Sequence, residues 1–365
     1  MSTLDTVSAA EGTPAPGRPR PKSTGGGGFG RYLLVRFLLI FPTIFILVTL
    51  VFFLMRTTGD PITAAQGGRL GPEALAELRA AAGFDRPLLV QYFEYLAQIA
   101  TLDFGSTLTT NRPVVEVLAT YGPATFELVF YSLIVAFAVG IPLGLLTAYY
   151  RDKPQDAVFR VLAIYWYAVP VFFAGLILKL IFSVWLGWFP VAGRATVSAE
   201  LQMQVQPNKT GFYTIDALMT GNPEVLIDVL SHAVLPAIAL GLLTAGIFLR
   251  LVRTNVIGTL ATDYVDAARS RGVAEFRLLR KHAYRPALIP IVTVIGLQIA
   301  LLLSGAVLTE TTFEWKGLGF ILAEFLESRD FVAVQGIVVL LAVIVAVTNF
   351  VVDIIAAFID PRVRY

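Results

Sequence analysis

A short polar stretch between two apolar runs is the part of the sequence best suited to specific chemistry. Residues Asp263–Phe276 read DYVDAARSRGVAEF, which is charged and helix-forming. Thr262 is a residue type that begins helices, and Asp263 and Asp266 favour the positive end of the helix dipole. Gly272 tolerates the left-handed conformation that ends a helix. These residue types predict a short helix that stops at Gly272.

A second short helix is predicted over about Val273–His282, so that two helices meet at a sharp turn. Ala267 and Ala268 lie at the centre of the first helix and have almost no side chain. Small residues allow the backbone of another protein to approach closely, so the segment is suited to docking a partner. The residues alone leave a second interpretation open, in which this is an ordinary basic loop capped by alanine-rich helices.

Other kinds of chemistry have little support in this sequence. The chain has no cysteine and two histidines, His232 and His282, so thiolate chemistry is excluded and a histidine-built metal site is not expected. Neither an HExxH pattern nor a GxxxxGK[ST] nucleotide-binding loop occurs. We expect His232 at a membrane interface and His282 in the docking stretch. A membrane enzyme with a Ser–Lys or Ser–His pair remains as an alternative.

The composition indicates a membrane protein. Of 365 residues 56% are hydrophobic and 15% are charged, whereas a soluble domain has about 25% charged residues. A membrane-spanning helix needs about 20 apolar residues. We therefore predict an all-α integral membrane protein with six spans, at Phe37–Met55, Phe126–Ala148, Ala157–Trp185, Ala233–Leu249 (extended to Leu230–Val252), Ala287–Thr309 and Phe331–Val352.

Basic residues predict how these spans are oriented. With six spans, 18 of the 28 lysines and arginines lie on one side, and an excess of positive charge marks the cytoplasmic side. We expect both termini in the cytoplasm of a bacterium whose inner membrane holds the chain. Residues 1–30, rich in proline and glycine, are predicted to be a disordered tail before a transmembrane domain at 31–365. A cytoplasmic loop is expected at about 254–286.

Two sizeable extracytoplasmic segments are predicted, at about 56–125 and 187–229. In the first, Pro72 and Gly83 bound a helix, and the stretch PLLVQYFEYLAQIA suggests an amphipathic helix at the membrane surface. In the second, residues 195–230 form a long polar loop. Its apolar residues favour packing over disorder, and it is either a gate or docking surface or a passive insertion.

The positions of ionisable residues near the spans bear on whether the chain is an ion-coupled carrier. Ion-coupled carriers place such groups at mid-membrane. In this sequence Glu127, Lys179, Glu310 and Asp353 lie towards span ends, where snorkelling or a helix cap accounts for them. A secondary carrier is therefore the less favoured alternative.

The stretches DYVDAARSRGV and HAYRPALIP resemble the EAA loop of ABC-transporter permeases, in the form found in dipeptide and oligopeptide importers. The resemblance extends from Arg31 onward through DRPLLVQYFEYLAQIATLDFGSTL, RPVVEVL, PATFELV, LGWFPVAGR and NFVVDIIAAFIDPRVRY. Lys316 and Val332 stand where the family commonly has proline, and the segment at 195–230 is longer than usual. These departures lie on the substrate-delivery side and bear on the substrate.

This resemblance implies a pore-forming subunit that catalyses no reaction and holds no cofactor or metal. ATP and Mg²⁺ would be bound by two cytoplasmic ATPase subunits. Other implied partners are a second permease, an extracytoplasmic binding protein and membrane lipid, but no nucleic acid. The implied cargo is a di- or oligopeptide, with oligosaccharides or nickel chelates as alternatives. The implied ATPase-coupling residues are Asp266, Ala267, Ala268, Arg269, Gly272 and His282.

Gln298 and Ser304 are predicted to line the substrate path, because they are polar residues within the fifth span. The alternative, that they form hydrogen bonds between helices, is equally compatible with the sequence.

Overall fold

A computed structural model describes residues 28–57, 59–66, 68 and 70–359 of the chain. The predicted tail at 1–30 lies outside the described residues except for Gly28–Gly30, which begin the first helix, and residues 360–365 also lie outside them. The described residues form helices and one isolated β-bridge. The helices are α1 Gly28–Thr57, α2 Pro61–Gln66, α3 Pro72–Ala81, α4 Leu88–Ala100, α5 Val114–Tyr149, α6 Pro154–Ala168, α7 Val171–Leu178, α8 Val197–Gln204, α9 Tyr213–Thr220, α10 Pro223–Leu260, α11 Asp263–Ser270, α12 Glu275–Arg277, α13 Tyr284–Phe313, α14 Leu318–Glu327 and α15 Phe331–Ile359.

Among the described helices, α1, α5, α10, α13 and α15 are long and apolar enough to cross a membrane. A sixth span is formed if α6 and α7, with its π-helical extension Lys179–Trp185, cross together. The span predicted at Ala157–Trp185 corresponds to this pair, and the two helices bend by 103° between Ala168 and Val171. Pro170 is the cause, since a residue before proline is pushed into an extended conformation, as Val169 is here.

The centre of the bundle is the packing of α5 against α10. Glycines permit backbone-to-backbone approach at this interface, as is common between membrane helices. A Cβ atom on Gly140 would lie 2.7 Å from the carbonyl oxygen of Ala245, and one on Gly241 would lie 2.6 Å from that of Ser132. These two helices are therefore held at a separation that no larger residue would permit.

Helix α10 runs from one end of the molecule to the other. Its 38 residues span about 57 Å at 1.5 Å per residue. The loop between α5 and α6 and the residues that follow α10 lie at one end, which we call the docking end. The segments at 186–222 and 314–330 lie at the other, the far end.

The two long segments predicted at about 56–125 and 187–229 both contain helices. In the first, α3 begins at Pro72 and Gly83 has a φ of +75°, as the residue types predict. Helix α4 packs on α1, where the hydroxyls of Tyr92 and Thr49 are 2.7 Å apart. The second segment folds α8 and α9 onto the start of α10 around a small apolar cluster of Ala199, Met203, Ala217, Val225 and Val229.

Candidate docking surface

Helix α11 begins where the residue types predict, but by another hydrogen bond. The Thr262 hydroxyl donates to the carbonyl of Thr259 at 2.6 Å, and it caps no N–H group of α11. The N–H groups of Val265 and Asp266 instead donate to the Thr262 carbonyl, at 3.0 and 3.1 Å. The helix start is therefore a backbone turn that continues from α10.

Gly272 ends α11 in the left-handed conformation, with a φ of +78°. The N–H of Gly272 donates to the Arg269 carbonyl at 2.9 Å, and the N–H of Val273 donates to the Ala268 carbonyl at 3.4 Å. Among the described residues, no atom beyond the chain neighbours lies within 4 Å of the position that a Cβ on Gly272 would occupy. The requirement for glycine here comes from the backbone angle and not from crowding.

The second helix differs from the sequence prediction. It is not a separate helix over Val273–His282, because α12 passes into a π-helical turn at Leu278–Ala283 that continues directly as α13. A π-helical turn inserts one extra residue per turn, and such turns are frequent at functional sites. The docking segment, which we define as residues 262–283, is thus mechanically continuous with a membrane-spanning helix.

Buried apolar residues hold the docking segment against the bundle. Val265 and Leu278 are fully buried, and Leu279 and Ala283 pack with Val256 of α10. The Tyr264 hydroxyl donates to the His282 carbonyl at 3.2 Å, which ties α11 to the π-helical turn. Of the predicted coupling residues, His282 therefore contributes its backbone to this joint.

The outer face of the docking segment is small and charged. Asp266, Ala267, Arg269 and Gly272 are exposed, and Ala268 is half-buried. The Arg269 guanidinium donates to Glu275 at 2.6 Å and also pairs with Asp266. The hydrogen bond to Glu275 raises the pKa of Arg269 further above its usual value. Arg269 thus bridges α11 and α12 across the turn at Gly272.

A cleft of about 440 Å³ lies beside this face, lined in part by Arg151, Lys153, Asp266, Arg269 and Glu275. Its charged walls suit a protein partner with polar side chains of both signs. In the described part of the chain, no group of three or more histidine or acidic side chains is arranged to hold a metal ion.

A buried ion pair that the sequence analysis missed braces this end. Arg253 of α10 donates two hydrogen bonds of 2.8 Å to Asp156 of α6, whose side chain is only 1% exposed. Paired, bidentate contacts of this kind are the strong ones. The two residues are 97 positions apart, so sequence spacing carried no signal for the pair.

At the far end, two carboxylates near span ends act as helix caps. Glu310 is fully buried and accepts from the N–H groups of Gly319 and Phe320, at 2.7 and 3.0 Å, in the first turn of α14. Glu127 accepts from the N–H groups of Tyr213 and Thr214, at 3.2 and 2.7 Å, in the first turn of α9. Of the two expected explanations, capping fits both residues and snorkelling fits neither, because neither reaches solvent.

The remaining ionisable and polar residues of interest lie apart from the docking segment. Lys179 donates to the Thr312 carbonyl at 3.1 Å, and Asp353 lies 3.2 Å from Arg36 of α1. His232, expected at an interface, is buried with its Nδ1 2.8 Å from the Asp228 carbonyl. On α13, Gln298 is 2% exposed and faces the inside of the subunit, whereas Ser304 is exposed.

Comparison with known proteins relates this architecture to one class of membrane protein. Residues 140–365 match the family described as "Binding-protein-dependent transport system inner membrane component". Residues 29–129 match the description "Binding-prot-dependent transport system membrane comp, N-term".

Curated relatives match over nearly their whole length. The di/tripeptide transport system permease protein DppB of Pseudomonas aeruginosa is 39% identical over 90% of this chain and 96% of its own. The dipeptide transport system permease protein DppB of Escherichia coli K12 is 37% identical over 92% of this chain and 99% of its own. The glutathione transport system permease protein GsiC of Salmonella typhi is 33% identical over 92% of this chain and 99% of its own.

Among solved structures, a chain of the inward-facing MetNI methionine ABC transporter is similar in fold. It has a TM-score of 0.50 and 16% sequence identity, over 67% of this chain and 96% of that chain.

Proposed function

The chain belongs to the family of binding-protein-dependent transport system inner membrane components, and we propose that it imports di- or oligopeptides. It is a multi-pass inner-membrane protein and the pore subunit of an ABC importer, a class of membrane component that is not itself catalytic. The peptide cargo is supported by the names of the relatives, which include dipeptide, di/tripeptide and glutathione permeases.

Coupling to ATP hydrolysis is assigned to the docking segment. The observation that carries this assignment is the continuity of the exposed docking segment with α13 through the π-helical turn at Leu278–Ala283. Asp266, Ala267, Ala268, Arg269 and Gly272 would contact an ATPase subunit, and His282 would hold the joint behind them. ATP and Mg²⁺ would bind to that partner. Movement of the docked ATPase would then tilt α13 and change access to the path.

The complete assembly would hold this chain, a second related permease, two ATPases and a binding protein. ABC importers of this family work with ATPase and substrate-binding partners; the second permease and the numbers of subunits are our proposal. We place both termini and the loop at 254–286 in the cytoplasm, which puts the segments at 56–125 and 187–229 outside, facing the binding protein. Residues 31–365 would form the transmembrane domain, after a tail at 1–30.

Replacement of Ala267 by glutamate tests the docking assignment. Ala267 is exposed, so the larger and like-charged side chain beside Asp266 should leave the fold intact but obstruct the partner. We expect A267E to insert normally, to recover less ATPase on purification and to lose ATP-dependent dipeptide uptake. The same change at exposed Ala76 of α3, at the opposite end of the molecule, is the matched control for ATPase recovery. Unchanged ATPase recovery and peptide uptake in A267E would refute the assignment.

A further inference from the structure

A cavity at the far end is lined by polar residues that the proposed function does not use. It has a volume of about 270 Å³ and lies between the end of α1, helix α4, the loop at 101–108 and the start of α15. Ligand sites usually occupy about 300–1,000 Å³, so the cavity suits a small molecule. It is separate from the docking segment, which lies at the other end of the bundle.

Four side chains that line the cavity each carry a buried polar atom that has no hydrogen-bond partner among the described residues. These atoms are Arg56 Nε, Tyr95 Oη, Gln335 Nε2 and Gln91 Oε1. Buried polar groups are nearly always hydrogen-bonded, because an unpaired one loses its bonds to water without replacement. Four at one cavity indicate that a group other than the described residues completes their bonding.

The chemistry of these atoms points to an oxyanion bound beside Arg56, Tyr95 and Gln335. Arg56 and Gln335 offer N–H donors, and the Gln335 side chain is 8% exposed. Burial raises the pKa of Tyr95 above its usual value, so its hydroxyl stays protonated and able to donate. Three donors with one cationic group match the acceptors of a carboxylate or phosphate.

Two acidic side chains on the more exposed part of the lining have the opposite character. Asp103 is exposed and Glu94 is half-buried, and both line the cavity. Glu94 pairs with Arg86, and Asp103 accepts from the N–H of Gly105 at 3.0 Å. A simple anion would meet these carboxylates on entry, whereas an ammonium group would be attracted to them. The acceptor Gln91 Oε1 also has no hydrogen-bond partner among the described residues. The Gln91 amide nitrogen donates to the carbonyls of Phe84 and Arg86, which fixes the side chain.

We infer that this cavity binds a small zwitterion, with its oxyanion at Arg56, Tyr95 and Gln335 and its ammonium group towards Asp103 and Glu94. Two sources present this chemistry: a free amino acid or dipeptide, and the headgroup of phosphatidylethanolamine. The site does not require ATP or transport, and it lies beyond the peptide import proposed above.

Equilibrium binding to the full chain in phosphatidylglycerol nanodiscs, without ATPases, tests the inference. In one arm, glycylglycine is titrated and its binding is measured by calorimetry. In the other arm, phosphatidylethanolamine is added and the lipid retained by the protein is measured by native mass spectrometry. Acetate and methylamine, each with half of the charge pattern, are the comparison ligands. We expect one of the two zwitterions to bind saturably, and we expect neither acetate nor methylamine to bind.

Tyr95→Phe and Gln335→Leu each remove one donor and should weaken that binding by roughly tenfold or more, since a bond to a charged group contributes about 1.5–3 kcal/mol. Tyr92→Phe is the matched control, because the Tyr92 hydroxyl bonds Thr49 and does not line the cavity. The inference is overturned if neither zwitterion binds, if acetate or methylamine binds as well, or if Y95F and Q335L bind like Y92F. None of these results bears on peptide uptake, which is measured separately.

Discussion

A carboxylate oxygen of Glu127 lies 2.5 Å from Nη2 of Arg194, and both side chains are 6% exposed. The pair joins α5 to the 187–229 segment. The Arg194 guanidinium also donates to the Gly211 carbonyl at 3.1 Å and lies 3.6 Å from the centre of the Tyr213 ring. One buried cation thus organises the loop and the start of α9 over the end of a spanning helix.

Arg194→Gln should destabilise this part of the chain by about 3–5 kcal/mol, because it leaves the Glu127 charge buried without its partner. Unfolding of the purified chain, together with protease cleavage within residues 195–222, measures the effect. The exposed pair of Arg112 and Glu116, 2.8 Å apart, provides the control, since Arg112→Gln should cost only about 0.3–0.5 kcal/mol. Equal losses in the two variants would show that the buried pair has no special role.

Gly272→Val should reduce ATPase recovery and ATP-driven uptake. A β-branched residue at a φ of +78° carries a strain of about 1–2 kcal/mol, which shifts the turn between α11 and α12. Asparagine tolerates this region better, and among the described residues no atom beyond the chain neighbours lies within 4 Å of a Cβ placed on Gly272. Gly272→Asn should therefore retain most activity. If both variants behave alike, backbone angle is not what this position contributes.

The exposed face of α8 and its end is predicted to touch the binding protein. Val197, Leu201 and Val205 are 74%, 58% and 84% exposed at intervals of four residues, whereas Ala199 and Met203 are buried. Changing all three exposed residues to serine should leave the helix in place and weaken affinity for the binding protein by about tenfold or more, given the apolar area lost.

Uptake by this triple variant should fall most at low substrate concentration, where delivery limits the rate. ATPase recovery serves as the control and should not change. Should the binding protein bind the variant as tightly as the natural chain, the segment is an insertion without this role.

Ser304 and Gln298 should differ in access from the substrate path. The chain contains no cysteine, so single cysteines report position without background labelling of this subunit. Ser304→Cys is expected to react with a water-soluble thiol reagent in the assembled transporter, and dipeptide should slow the reaction. Gln298→Cys should stay unreactive because Gln298 is 2% exposed. Labelling of Ser304→Cys that peptide does not alter would remove it from the path.

The orientation of the chain is tested by reporter fusions. A reporter placed after Pro154 should read as cytoplasmic, and one after Asn208 as external, because these positions lie at the docking end and the far end. Both positions lie in or beside loops of the described structure, so insertion should not disturb a span. The same sidedness for both reporters would contradict the proposed topology.

The sequence by itself determined the local features of this protein. Apolar length defines the spans because hydrocarbon excludes unpaired backbone groups. The start of α3 and the left-handed turn at Gly272 follow from residue types whose effect is confined to one turn of helix. Membership in the permease family was also predictable, since its motifs lie in order along the chain.

Only the tertiary structure decided what the polar residues do. Glu127 meets Arg194 from 67 positions away, and Thr125 donates to Glu310 from 185 positions away at 2.7 Å. No local pattern records such pairs, because they depend on how helices pack. The passage from α12 into α13 through the π-helical turn at Leu278–Ala283 is likewise recorded in no local pattern. Packing over the whole bundle, acting at long range, selected these arrangements from several that the residue types alone permit.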